Sequence, residues 1–153
     1  MNRNSSEISR REPSDRRRHR RAPPWARQHE RRHTQFPEYE KILTSASLVI
    51  VPGLVLAEVD YFLRENRAAM RKLVAEIFDP ATRYEYELPL PSDIVRALEL
   101  DARFGKLNLG LVDGTVVAVA ERRRVYRVLT TDRRDFAVVR VGPRLTRALD
   151  LLP

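Results

Sequence analysis

At 153 residues the chain is the size of one domain and long enough to build a hydrophobic core. It has no cysteine, which excludes disulfides and thiolate metal ligands and fits a reducing compartment. No stretch reaches the ~18 apolar residues of a membrane span and no signal-peptide core follows the N-terminus, so the predicted location is cytoplasmic with no membrane partner.

The net charge of +8 is unevenly placed. Met1 to His33 holds eleven Arg against four acidic residues, a net of +7, whereas the remaining 120 residues hold 18 basic and 17 acidic groups, a net of +1. Residues 1–32, with Arg16-Arg17-Arg18-His19-Arg20-Arg21 and Ala22-Pro23-Pro24, have no apolar period and read as a disordered basic tail. Such a tail has the charge to touch nucleic-acid phosphates, but its composition favours a solvated, non-specific arm. His29-Glu30-Arg31-Arg32-His33 matches the two-His zinc helix motif, but its flanks are polar and no later His offers a third ligand, so the match carries little.

Residues 33–153 read as the folded domain. Tyr39, Ile42 and Leu43 predict a short helix over 38–45, and Leu48 to Val51 a buried strand. After Pro52-Gly53 a helix over 55–63 is predicted, then another over 68–78 closed by Asp79-Pro80. Tyr84, Tyr86 and Leu88 alternate with Glu85 and Glu87 as a half-buried strand. Pro91-Ser92-Asp93 opens a helix with Ser92 as N-cap and Ile94, Leu98 and Phe104 on its inner side. Leu107 to Ala120 follows, then strands at 128–130 and 137–141. Strands alternating with helices predict an α/β layered domain with a mainly parallel sheet.

Three carboxylates stand where this pattern leaves little room for charge. In a helix over 55–63, Glu58 lies on the stripe of Leu54, Val55, Tyr61 and Phe62, where a buried carboxylate must be neutralised, paired or metal-bound. Asp113 has Leu109, Val116 and Val117 around it. It is either a site residue or the N-cap of a helix starting near Gly114, although Val116 stands where a capping-box partner would be. Asp132 follows the strand at 128–130, where ligand sites lie in open α/β sheets, and an Asp there also starts turns and caps helices. Asp135, in Thr130-Thr131-Asp132-Arg133-Arg134-Asp135-Phe136, has no apolar setting and reads as surface. Three such acids meeting at one sheet edge would repel unless a cation joined them. Hard oxygen donors suit Mg²⁺ or Mn²⁺, which points to phosphodiester hydrolysis.

The stretch VPGLVLAEVDYFL around Glu58, LELDARFGKLNLGLVDGTVVAVAE around Asp113 and VLTTDRRDF around Asp132, in this order and spacing, resembles the PIN-domain ribonucleases, and among them the VapC-type toxins of toxin–antitoxin pairs. The resemblance covers roughly Gln35 to Pro153. It implies a PIN-like three-layer fold, a Mg²⁺- or Mn²⁺-dependent endoribonuclease acting on RNA, a cognate VapB-like antitoxin and a homodimer. Asp113 is then the principal metal ligand, Glu58 and Asp132 complete the metal and water network, and Thr130 is similar to a small polar residue of the relatives.

One feature of that family has no counterpart here. Its members begin with a short apolar strand that ends in a metal-binding Asp, and counting back from His33 this Asp falls near Arg18, inside the Arg-rich run. Asp15 is the nearest acid, and its polar neighbours make no strand. The first strand of the sheet is therefore expected to be missing, and the step in charge motivates the hypothesis that the first 30 or so residues arise from a different reading frame.

Overall fold

The computed structural model describes residues 37–153. The basic tail, the His29–His33 motif and Asp15 lie outside the described residues. Helix α1 (residues 37–45) is followed by β1 (Val49–Pro52), α2 (Val55–Phe62), α3 (Arg67–Phe78), β2 (Tyr84–Glu87), α4 (Pro91–Arg103) and α5 (Gly110–Arg123). Then come β3 (Arg127–Leu129), α6 (Arg133–Val138), β4 (Arg140–Val141), β5 (Arg147–Ala148) and β6 (Asp150–Leu152). This is the α/β architecture expected from the alternation of apolar periods, and among the described residues no helix is long and apolar enough to cross a membrane.

The parallel sheet exists in two pieces. β1 pairs with β2 in parallel, Val49 opposite Tyr84 and Pro52 opposite Glu87. β3 pairs with β6 in parallel, Arg127 opposite Asp150 and Leu129 opposite Leu152. A third, antiparallel pair joins β4 and β5. Among the described residues β1 and β3 have no ladder to each other. Between them lies an open groove of about 700 Å³, with Ile50 and Leu129 on its sides and Val116 and Val119 of α5 among its walls.

The core is gathered on the β3 side of this groove. Leu100 of α4, Leu109, Val117 and Ala120 of α5, Val128 of β3, Phe136 of α6, Val139, Val141 and Leu149 form one buried cluster. Helices α4 and α5 approach closely because of Gly114. A Cβ there would sit 3.0 Å from the Ala97 Cβ and 3.1 Å from its carbonyl oxygen, so any larger residue would force the helices apart.

Ion pairs reinforce the same helix pair. Asp93, 3% exposed, accepts the Leu90 N–H at 2.8 Å and the Arg122 Nε–H at 3.0 Å on both oxygens. Arg122 also reaches Glu87 at 2.8 Å, Arg123 binds Glu85 at 2.5 Å and Glu87, and Arg96 reaches Glu121 at 2.8 Å. Glu121 in turn accepts the Gly142 N–H at 2.7 Å. The acidic face of β2 is thus tied to the C-terminal end of α5. Charge-assisted bonds of this kind hold geometry well when both partners are retained.

Several local expectations are corrected. Ser92 is not the cap of α4: Pro91 opens the helix and Asp93 bonds back to Leu90. Leu98 faces outward, 57% exposed, while Ala97 and Leu100 are the buried positions. Residues 137–141 are not one strand but the end of α6 followed by the two-residue β4.

Candidate functional site

Asp113 stands in the first turn of α5, not at its cap. The helix begins at Gly110, whose φ of 71° follows Asn108 at φ 51°, and the Gly110 N–H donates to Asp101 Oδ1 at 3.1 Å. With the turn already closed by Asp101, the Asp113 carboxyl is not used for capping. It is half-buried, and its neighbours Gly114, Thr115 and Val117 are fully packed. Of the two readings the sequence left open for it, the cap is excluded.

Glu58 occupies the first turn of α2, just after β1. The sequence pattern puts it on a buried stripe, and this is corrected. Glu58 is exposed, α2 has no buried residue, and Tyr61 and Phe62 are 62% and 65% exposed. An apolar stripe is buried only where another layer covers it, and this one is half-buried at Leu54 and Val55 and exposed at Tyr61 and Phe62.

Asp132 lies after β3 and is exposed. Its N–H donates to Thr130 Oγ1 at 3.0 Å, and its carboxylate accepts the Asp135 N–H at 3.4 Å as the N-cap of α6. Capping and proximity to Asp113 are compatible roles for this side chain, since a carboxylate has a second oxygen to offer. Thr130 is fixed in turn from α1, where Tyr39 Oη–H donates to its carbonyl at 3.1 Å.

The electrostatics join these positions. Burial pushes the Asp113 carboxyl up from 3.8 to about 6, and the negative charges of Glu58, Asp132 and Asp135, in that order, push the same way. A helix N-terminus favours a carboxylate by less than about 1 kcal/mol, so here burial and like charge outweigh it. Asp135 is the residue that sequence reasoning missed. Its side chain is only 16% exposed, next to the buried Phe136 in α6.

The donor types suit a hard divalent cation. Their positions are less complete. Among the described residues no three His, Cys, Asp or Glu side chains converge closely enough to hold one metal ion. The acids place negative potential around Asp113 without closing a ligand shell.

Comparison with known proteins agrees with the fold. The family model described as PIN domain matches residues 25–142, a span that includes Glu58, Asp113, Asp132 and Asp135. The chain is also similar to Ribonuclease VapC26 of Mycobacterium tuberculosis (strain ATCC 25618 / H37Rv), with 27% identity over 101 residues, which cover 66% of this chain and 75% of the relative. With most of its length matched by the model, this α/β chain belongs to the PIN-domain family.

Proposed function

We propose that this protein is a divalent-metal-dependent endoribonuclease that hydrolyses RNA phosphodiester bonds and acts as the toxin of a toxin–antitoxin pair, held in check by a VapB-like antitoxin. Family membership and the similarity to a ribonuclease support the class of reaction. The observation that carries the reading is the perturbed Asp113. A carboxyl lifted to about 6 by burial and by three further acids is an unfavourable arrangement for folding alone, and perturbed groups of this kind concentrate at functional sites.

In this reading Asp113, Glu58 and Asp132 are the site residues, with Asp135 contributing charge. Mg²⁺ or Mn²⁺ is the group their oxygens suit, and it would neutralise phosphate and carboxylate charge at the scissile bond. The residues of the chain set the field. Asp113 is largely protonated below about pH 6 and becomes a carboxylate above it, so the acidic cluster gains its full attraction for cations on the alkaline side of that value. The Thr130 hydroxyl holds the start of the Asp132 turn and so positions that carboxylate. The protein acts in the cytoplasm, and RNA is the substrate.

The test is cleavage of RNA by the full chain with Mn²⁺. Activity is expected to fall at least ~100-fold in Asp113→Asn, as for loss of a group acting on transition-state charge, and to vanish with chelator. Equal cleavage by the variant would reject the assignment. The incomplete convergence of the acids favours one second reading, a PIN-domain protein that binds RNA or an antitoxin without cutting. That reading predicts RNA binding with no metal-dependent cleavage at any pH.

A further inference from the structure

One polar contact joins α1 to the turn that carries Asp132. Tyr39 Oη–H donates to the Thr130 carbonyl at 3.1 Å, across 91 residues of sequence. Thr130 is held twice more. Its N–H donates to Leu152 O at 3.3 Å, and its Oγ1 accepts the Asp132 N–H at 3.0 Å. The backbone nitrogen, the carbonyl and the hydroxyl of this half-buried residue are thus all engaged, one by β6, one by α1 and one by the acid itself.

We propose that Tyr39 is a positioning residue for the acidic site: its hydroxyl sets the Thr130 carbonyl, and with it the turn that aims the Asp132 carboxylate. A peptide unit is planar and rigid, so fixing the Thr130 oxygen fixes the orientation of the peptide that leads into Thr131 and Asp132. Control of this kind matters here because packing supplies little. Thr131 and Asp132 are exposed, and the bond that the carboxylate itself accepts, from the Asp135 N–H, is long at 3.4 Å, beyond the usual N–H···O range. Among the described residues Tyr39 is the only side chain of another element bonded to this turn.

The hydroxyl can be separated from the helix that carries it. At the other end of α1 the Arg83 guanidinium donates to the carbonyls of Leu43 at 3.3 Å and Ala46 at 3.2 Å, and to that of Thr44. The Tyr39 ring is half-buried and is kept in Tyr39→Phe. α1 therefore has its own anchor beside β2, and loss of the hydroxyl falls on Thr130. This role rests on the reading of Asp132 as a site residue.

The experiment compares the full chain with Tyr39→Phe by amide hydrogen exchange and by RNA cleavage with Mn²⁺. Exchange at Asp132 is expected to speed up ~10-fold, the change in open population that one typical hydrogen bond produces. The Val49 and Gly53 amides, bonded to Arg83 O and Glu87 O, are expected to exchange as before. In cleavage kcat should fall ~10-fold with KM unchanged, because a misaimed acid weakens the reaction and not the hold on RNA. An Asp132 amide that exchanges equally in both proteins, or is already unprotected in the parent, would overturn the proposal. So would acceleration shared by Val49 and Gly53, which marks general loosening, a raised KM at unchanged kcat, or cleavage unaltered by the substitution. A parent chain that cuts no RNA would instead refute the nuclease reading, and the exchange comparison alone would then decide whether Tyr39 holds the turn.

Discussion

The two parallel strand pairs have the same pairing and nearly the same length, yet they are embedded very differently. β3–β6 reaches the core through Val128, which is 7% exposed and clusters with Leu100, Val117 and Phe136, while Arg127 and Asp150 are exposed. In β1–β2 all eight residues are only partly buried. What separates them is the covering layer, since the groove runs along one edge of both β1 and β3 while Leu100 of α4, Val117 of α5 and Phe136 of α6 cluster with Val128 of β3. A ladder of hydrogen bonds therefore does not by itself make a strand part of the core. Burial depends on the next layer, and on the β1 side that layer is incomplete among the described residues.

The largest expected effect lies on the packed side. Asp93→Ala removes a buried carboxylate that ties the start of α4 to Arg122, leaving the guanidinium with Glu87 alone. It should cost about 3 kcal/mol in denaturant unfolding, the scale of breaking a buried pair from one side. A loss under ~1 kcal/mol would mean that the ion pairs merely decorate a helix contact held by apolar packing.

The comparison itself is tested by two identical truncations. Val128→Ala in β3 should cost about 2 kcal/mol, as a buried methyl-bearing side chain lost from a packed cluster. Val51→Ala in β1, at a half-buried position, should cost less than ~1 kcal/mol. Equal losses in thermal or denaturant unfolding would break the distinction between the two pairs.

A smaller and opposite effect is expected at the acidic edge. The folded-state pKa of Asp113 lies above its unfolded value, 3.8 going to about 6. The folded state thus binds more protons than the unfolded one between these values, and stability falls as pH rises through that window. Because the group is only half-buried, solvent screening reduces the full linkage to about 1 kcal/mol. With chelator present, Asp113→Asn should be more stable than the parent by that amount at pH 8 and indistinguishable from it near pH 3. A variant less stable at pH 8 would show that the carboxylate is favourably paired.

Much of this was readable in the sequence where a period ran long enough. The 3.6-residue period of Met70, Leu73, Val74 and Ile77 marks α3 to within a residue, and the apolar spacing before and after Asp113 marks α5. The family and the α/β class followed from motifs of this length. Short elements were not readable. β5 and β6, at two and three residues, are too brief to show alternation, and Ala137-Val138-Val139-Arg140-Val141 looks like a strand although Asp132 caps a helix that takes its first two residues. The exposure of Glu58 was misjudged for the reason that separates the two strand pairs, since an apolar stripe records a capacity for burial and not the presence of a cover. Asp135 shows the converse, a side chain in a polar run that tertiary packing turns inward. Glu85 and Glu87 look like the solvent face of a strand, and only the fold brings Arg122 and Arg123 to them.

The central proposal is that Asp113 and the acids around it attract a divalent cation. It is tested most directly by titrating Mn²⁺ into the full chain at pH 8, beside Asp113→Asn and the remote control Glu76→Gln on α3. The account predicts binding by the parent chain, retained in Glu76→Gln and lost in Asp113→Asn. Mn²⁺ binding unchanged by Asp113→Asn, or lost equally in both variants, would contradict it.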